Sequence, residues 1–183
     1  MTPVRHTTTR HVALLRGINV GRAKRVAMAD LRALVEGLGY GDVRTLLNSG
    51  NVVFTAPAGA QSKAAARIEK AVASDLGVSA RVTVLSASEL AAIVAENPLL
   101  EIADNPSRLL VTVLNDDTWI QPLLKQDWTP DVLALGPRVA YMWCPGGILQ
   151  SPLATAAARL LGDSATTRNW ATITKLHALA TTA

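Results

Sequence analysis

Apolar residues along this chain recur with two alternating periods. The run His11–Ile18, with Val12 to Leu15 at its centre, reads as a first strand. Met28, Leu31, Leu34, Val35 and Leu38 then recur at helical spacing, and Gly39 closes that helix. Val43–Leu47 and Asn51–Thr55 are two apolar runs separated by Asn48-Ser49-Gly50, a hairpin pattern. Pro57 and Gly59 break the chain. Ser62 is the expected cap of a helix presenting Ile68, Val72 and Leu76 and ending at Gly77. Ala80–Leu85 alternates as a strand. The order β-α-β-β-α-β is that of a ferredoxin-like unit.

The second half repeats much of this order. Ser86-Ala87-Ser88-Glu89 forms a capping box for a helix over Glu89–Glu96, which Asn97-Pro98 stops. Leu109–Leu114 is a strand, and Asp117–Lys125 a helix carrying Trp119, Ile120, Leu123 and Leu124. Asp131–Leu135 and Val139–Cys144 form a hairpin around Gly136-Pro137-Arg138. Pro152 opens a helix that ends at Gly162. A last helix, from about Asn169 to Ala180, carries Trp170, Ile173, Leu176 and Leu179, where the first half has a strand. The expected fold is therefore α+β, with two pseudo-repeated ferredoxin-like β-α-β-β-α units packed as one compact body. Residues 1–10 read as a flexible tail, 11–85 as an N-terminal subdomain and 86–183 as a C-terminal one.

Composition narrows the function. The 183 residues are 49% hydrophobic and only 17% charged, enough for a folded core and too apolar for disorder. No run approaches the ~20 apolar residues that span a bilayer, and residues 1–11 lack the apolar segment of a secretory signal. Cys144 is the single cysteine. The expectation is a cytoplasmic protein with no membrane partner. A net charge of +4 suits an anionic partner, or serves solubility alone.

Three polar stretches follow buried patterns and carry the candidate chemistry. In Arg16-Gly17-Ile18-Asn19-Val20-Gly21, two glycines allow close approach, Asn19 donates and accepts hydrogen bonds, and Arg16 offers a planar fork for phosphate or carboxylate. Arg22, Lys24 and Arg25 follow it. Asn48-Ser49-Gly50-Asn51 contributes Ser49 and Asn51, although a plain hairpin turn explains the same residues. Thr166-Thr167-Arg168-Asn169-Trp170, at the expected start of the last helix, would offer orphan amides, a helix dipole and the charge of Arg168, with Thr167 or Asn169 as alternative caps. The first stretch is neither a dinucleotide fingerprint nor a P-loop. No acid–base pair or nucleophile–base couple has a spacing that demands catalysis, so catalytic residues stay unassigned. His6, His11 and His177 share no ligand spacing, and neither a metal nor a cofactor is expected.

Taken together, ALLRGINVGRAKRVAMADL, VRTLLNSGNVVF and TTRNWATITKL resemble the signatures of a bacterial family of uncharacterised proteins, domain of unknown function 1697. The resemblance runs from about His11 to Ala180 and implies a small, cytoplasmic α+β protein with no established activity. It selects Arg16, Gly17, Asn19 and Gly21 from the first motif, Ser49, Gly50 and Asn51 from the second, and Thr167, Arg168, Asn169 and Trp170 from the third. This chain departs from the usual pattern at Arg22, Ala27, Leu46 and Pro152. The leading expectation is a small anionic ligand, phosphorylated ones included, held in one cleft by Arg16, Gly17, Asn19, Gly21, Ser49, Asn51, Thr167, Arg168 and Asn169. The alternatives are a nucleic-acid-binding protein, disfavoured by strands poor in aromatics, and a structural or interaction module without catalysis.

Overall fold

In the computed structural model, residues 7–115 and 120–182 are described. The chain forms two compact units, one of Met1–Leu90 with Leu176–Ala183, the other of Ala91–Lys175. Each has one four-stranded antiparallel sheet.

The first unit contains β1 (Thr8–Arg16), α1 (Met28–Gly37), β2 (Gly41–Leu46), β3 (Asn51–Pro57), α2 (Gln61–Leu76), β4 (Arg81–Ser86) and the start of α3 (Ala87–Ala95). Its sheet order is β2-β3-β1-β4. Val12 to Leu15 are all buried, as a central strand with both faces covered requires. Ala13 and Leu15 pack with Val52, Phe54, Val82 and Val84 against Leu31 and Val35 of α1 and Ile68 and Val72 of α2. The strand is displaced from the expected His11–Ile18. Thr8 already pairs with Pro57, and Gly17, at φ 85°, turns the chain out of the sheet before Ile18. Residues 1–6 of the expected tail lie outside the described residues. Ser62 falls inside the first turn of α2, which has no side-chain cap, because a turn from Pro57 O to Ala60 N already starts the helix. The capping box forms reciprocally: Glu89 N donates to Ser86 Oγ at 3.1 Å and Ser86 N to Glu89 Oε2 at 2.7 Å.

The second unit contains β5 (Leu109–Leu114), α4 (Gln121–Leu124), β6 (Val132–Gly136), β7 (Val139–Trp143), α5 (Pro152–Leu161), β8 (Ala165–Asn169) and the start of α6 (Trp170–Thr181). Its order, β6-β7-β5-β8, places its own second, third, first and fourth strands side by side, as in the first sheet. Leu110, Leu114, Ala140, Met142 and Ala165 pack against Ile120, Leu123, Leu153 and Leu161. Ser151 caps α5 through Ala154 N at 2.9 Å, with Pro152 in the first turn. The expected helix over Asp117–Lys125 begins partly outside the described residues, Trp119 included, and α4 is its described part.

The clearest correction concerns Thr166 to Asn169. They form an edge strand, with Thr167 opposite Thr112 and Arg168 opposite Val111, and α6 starts only at Trp170. The free edge of β5 needed a partner. Two β-branched threonines fit an extended strand despite their polarity.

Candidate functional site

The end of β1 builds the most elaborate loop of the first unit. Asn19 adopts φ 55°, a conformation asparagine tolerates better than most residues. Its backbone N–H donates to Lys24 O at 2.9 Å. Its side chain pairs with Val26 like a neighbouring strand: Oδ1 accepts from Val26 N at 2.7 Å, and Nδ2 donates to Val26 O at 2.9 Å. The same Nδ2 donates to Asn48 O at 2.7 Å, in the turn between β2 and β3. Ile18 and Val26 are buried in the core on either side of the loop. The intervening Val20, Gly21, Arg22, Ala23, Lys24 and Arg25 are all exposed.

The β2–β3 turn is locked to this loop a second time. Leu15 N donates to Gly50 O at 2.8 Å. Gly50 sits at φ 81°, and a Cβ there would lie 2.8 Å from both Leu15 Cβ and Ile18 Cδ1, so only glycine fits. Asn51 is fully buried. Its Nδ2 donates to Leu46 O at 2.9 Å and to Ser49 Oγ at 2.8 Å. The turn presents Leu47, at φ 58°, with Asn48 and Ser49, all exposed.

The structure thus brings the first two expected stretches together within one unit. It assigns their asparagines a building role, since Asn19 and Asn51 spend their amide hydrogens on the loops. What the loops present is charge: Arg22, Lys24 and Arg25 are exposed, Arg16 is half-buried, and no acidic residue occurs between Arg16 and Ala29 or between Val43 and Pro57. The usable signal was the missing acid rather than the Gly and Asn pattern. Backbone at positive φ concentrates here, at Gly17, Asn19, Gly21, Lys24, Leu47 and Gly50.

The third stretch belongs to the second unit. Thr167 Oγ1 lies 2.8 Å from Thr112 Oγ1, and Asn169 Oδ1 accepts from Thr172 N at 2.9 Å, capping α6. The helix-terminal amides expected around Thr166–Asn169 are therefore strand groups, and the true helix start is capped from within. Arg168 is half-buried, and its Nη1 donates to Thr167 O at 3.0 Å. Burial pushes its guanidinium down to about 10. It shares a sheet face with Val111 and Tyr141. Tyr141 is fully buried, donates to Ile93 O at 2.8 Å and is raised to about 12, first by burial and then by Glu96.

Among the described residues, no group of three or more His, Cys, Asp or Glu side chains is placed to hold a metal. No helix among them is long and apolar enough to cross a membrane.

Comparison with known proteins adds a fold and a family. The chain is similar in structure to the conserved bacterial protein SP0830 from Streptococcus pneumoniae, with a TM-score of 0.80 and 22% identity over 95% of this chain and 99% of that one. No curated relative matches the sequence. The sequence profile described as Protein of unknown function (DUF1697) matches residues 8–141. The chain belongs to the DUF1697 family.

Proposed function

We propose that this protein binds a small anionic ligand, phosphorylated ones included, at the paired loops of the first unit. One observation carries the reading: two loops cross-linked by Asn19–Asn48 and Leu15–Gly50 hold out Arg22, Lys24 and Arg25 beside Arg16 with no acid among them. A loop already ordered by its own hydrogen bonds loses little entropy on binding. Arginine and lysine recognise phosphate through charge-assisted bonds, and turn amides at positive φ add anion-directed donors. Gly17, Gly21, Asn19, Ser49 and Asn51 serve that site by shaping it. Thr167, Arg168 and Asn169 form a candidate anion contact of the second unit in its own right, with Arg168 as its charge. The binding reading assigns no reaction. The matching sheet orders support the further reading that the two units are ferredoxin-like pseudo-repeats.

The test is thermal unfolding at low salt with inorganic phosphate, pyrophosphate, adenosine monophosphate and a short single-stranded oligonucleotide. A ligand at ~100 times its dissociation constant stabilises by about 2.7 kcal/mol. Stabilisation by a small anion, lost in the Arg22→Ala/Lys24→Ala/Arg25→Ala protein, supports the site. Arg168→Gln, measured separately, reports the second contact. Stabilisation that survives the triple substitution overturns the loop assignment. A response to the oligonucleotide alone, vanishing with salt, replaces the small ligand with nucleic acid.

A further inference from the structure

A cleft of about 270 Å³ opens in the second unit between α4 and the start of β6. Its charge is opposite to that of the loops of the first unit. Asp127 and Asp131 line it, together with Gln126, Trp128, Leu123 and Leu133, and no Lys or Arg is among its lining residues.

Asp131 is the unusual group. Only 7% of it is exposed, yet among the described residues no cation pairs with it. Its charge is met on one oxygen alone: Oδ2 accepts from Ser151 Oγ at 2.7 Å and from Leu153 N at 3.4 Å, at the start of α5. Oδ1 has no hydrogen-bond partner among the described residues. Oδ1 is not among the buried polar atoms left without a partner, so it keeps access to solvent, and a donor entering the cleft can reach it. Asp127, at the exposed edge, is arranged similarly. Its Oδ1 accepts from Thr129 N at 2.9 Å and Thr129 Oγ1 at 2.7 Å, which holds its carboxyl below the usual range, and Oδ2 has no hydrogen-bond partner among the described residues. Trp128 is fixed between them by its Nε1–H bond to Leu123 O at 2.7 Å.

We propose that this cleft binds a small organic cation carrying N–H donors, a primary ammonium or guanidinium on a short aliphatic chain. The free carboxylate oxygens accept its hydrogens and balance its charge. The indole offers an aromatic surface to the cation, and Leu123 and Leu133 cover the carbon chain. The volume is below that of sites for drug-sized molecules, which limits the ligand to a small amine. Magnesium and calcium fit less well, since each takes six or more oxygen ligands.

The test follows the Trp128 indole N–H resonance of the isotope-labelled protein during titration with n-butylammonium chloride at constant ionic strength. The expected result is a saturable shift with a millimolar midpoint, weakened at least ten-fold by Asp131→Asn and about three-fold by Asp127→Asn. Tetramethylammonium, which has no N–H, shifts it far less. Because Asp131 also orders the start of α5, Asp127→Asn on the exposed loop keeps the test decisive if Asp131→Asn unfolds. The proposal is overturned if butylammonium gives no saturable shift, if both variants bind like the parent, if tetramethylammonium binds as tightly, or if calcium chloride saturates the same resonance at lower concentration.

Discussion

Strands β4 and β8 hold the same place in their sheets, each beside the central first strand and each running straight into a helix. Their sequences differ sharply. In β4, Leu85 lies opposite Val12 and Val84 opposite Ala13, all buried. In β8, Arg168 lies opposite Val111, and Thr167 meets Thr112 through a hydroxyl pair. At the helix junction Ser86 does for α3 what Asn169 does for α6: each last strand residue caps the following helix from its side chain. The comparison teaches that this position needs a paired backbone and a cap. The apolar content of β4 is one way to fill it. The arginine of β8 departs from that apolar pattern, and Arg168 stays among the candidate binding residues.

The largest way to break the comparison is through the core of β4. Leu85→Ala should lower stability by about 2–5 kcal/mol, the cost of a cavity at a buried leucine, seen as an earlier urea midpoint. A loss under 1 kcal/mol would mean that β4 is no more packed than β8.

The residue beside the junction separates the units by pH. Ser86 lies opposite His11, whereas Asn169 lies opposite Leu110. His11 is fully buried, stacks on Phe54 at 5.6 Å between ring centres, bonds through Nδ1 to Thr9 O at 3.0 Å, and has no partner at Nε2 among the described residues. Burial lowers its pKa, against smaller opposing effects of the Thr9 bond and Glu89. The unfolded chain therefore takes up the proton first. Stability is complete above the unfolded value near 6.5 and falls as pH drops below it, by at most about 1.4 kcal/mol per pH unit from this residue. His11→Phe should flatten urea midpoints between pH 7.5 and 5.5. An unchanged slope would exclude His11 as the cause.

Removing the caps tests the shared feature. Ser86→Ala and Asn169→Ala should each cost about 1 kcal/mol, and unequal losses beyond about 1 kcal/mol would break the parallel between the junctions. The smallest effect is expected from Arg168→Met, which keeps an apolar stem and removes a desolvated charge. Thermal unfolding should stay within about 1 kcal/mol of the parent while any anion response of the second unit disappears. A larger loss would make the guanidinium a structural group.

Much of the fold was legible wherever local chemistry and sheet geometry agree. The capping box at Ser86 and Glu89, Pro152 in the first turn of α5 and the turn glycine at Gly50 all followed from short-range rules. The strand at Thr166–Asn169 did not, because nothing in a polar stretch announces that a distant strand lacks a partner. The candidate residues were legible as polar stretches; the bonds their side chains make were not. Asn19 and Asn51 look like ligand groups because their amides bond so readily, and the folded loops consume those same amides. The cleft at Asp131 was invisible, since its lining joins α4, a loop and β6, and the Ser151 hydroxyl that holds Asp131 at its wall comes from 20 residues further along the chain.

The sequence by itself determined an α+β chain, most strand and helix identities, the family, and the acid-free basic loop after β1. These depend on periodicity, caps and composition, all local properties. Tertiary structure alone decided which strands neighbour one another, that a polar edge strand completes the second sheet, which loop carbonyls the Asn19 and Asn51 amides bond, and that Ser151 meets Asp131 beside a cleft. Those outcomes depend on backbone groups and side chains far apart in sequence competing for the same partners, and that competition is resolved only when the chain is folded.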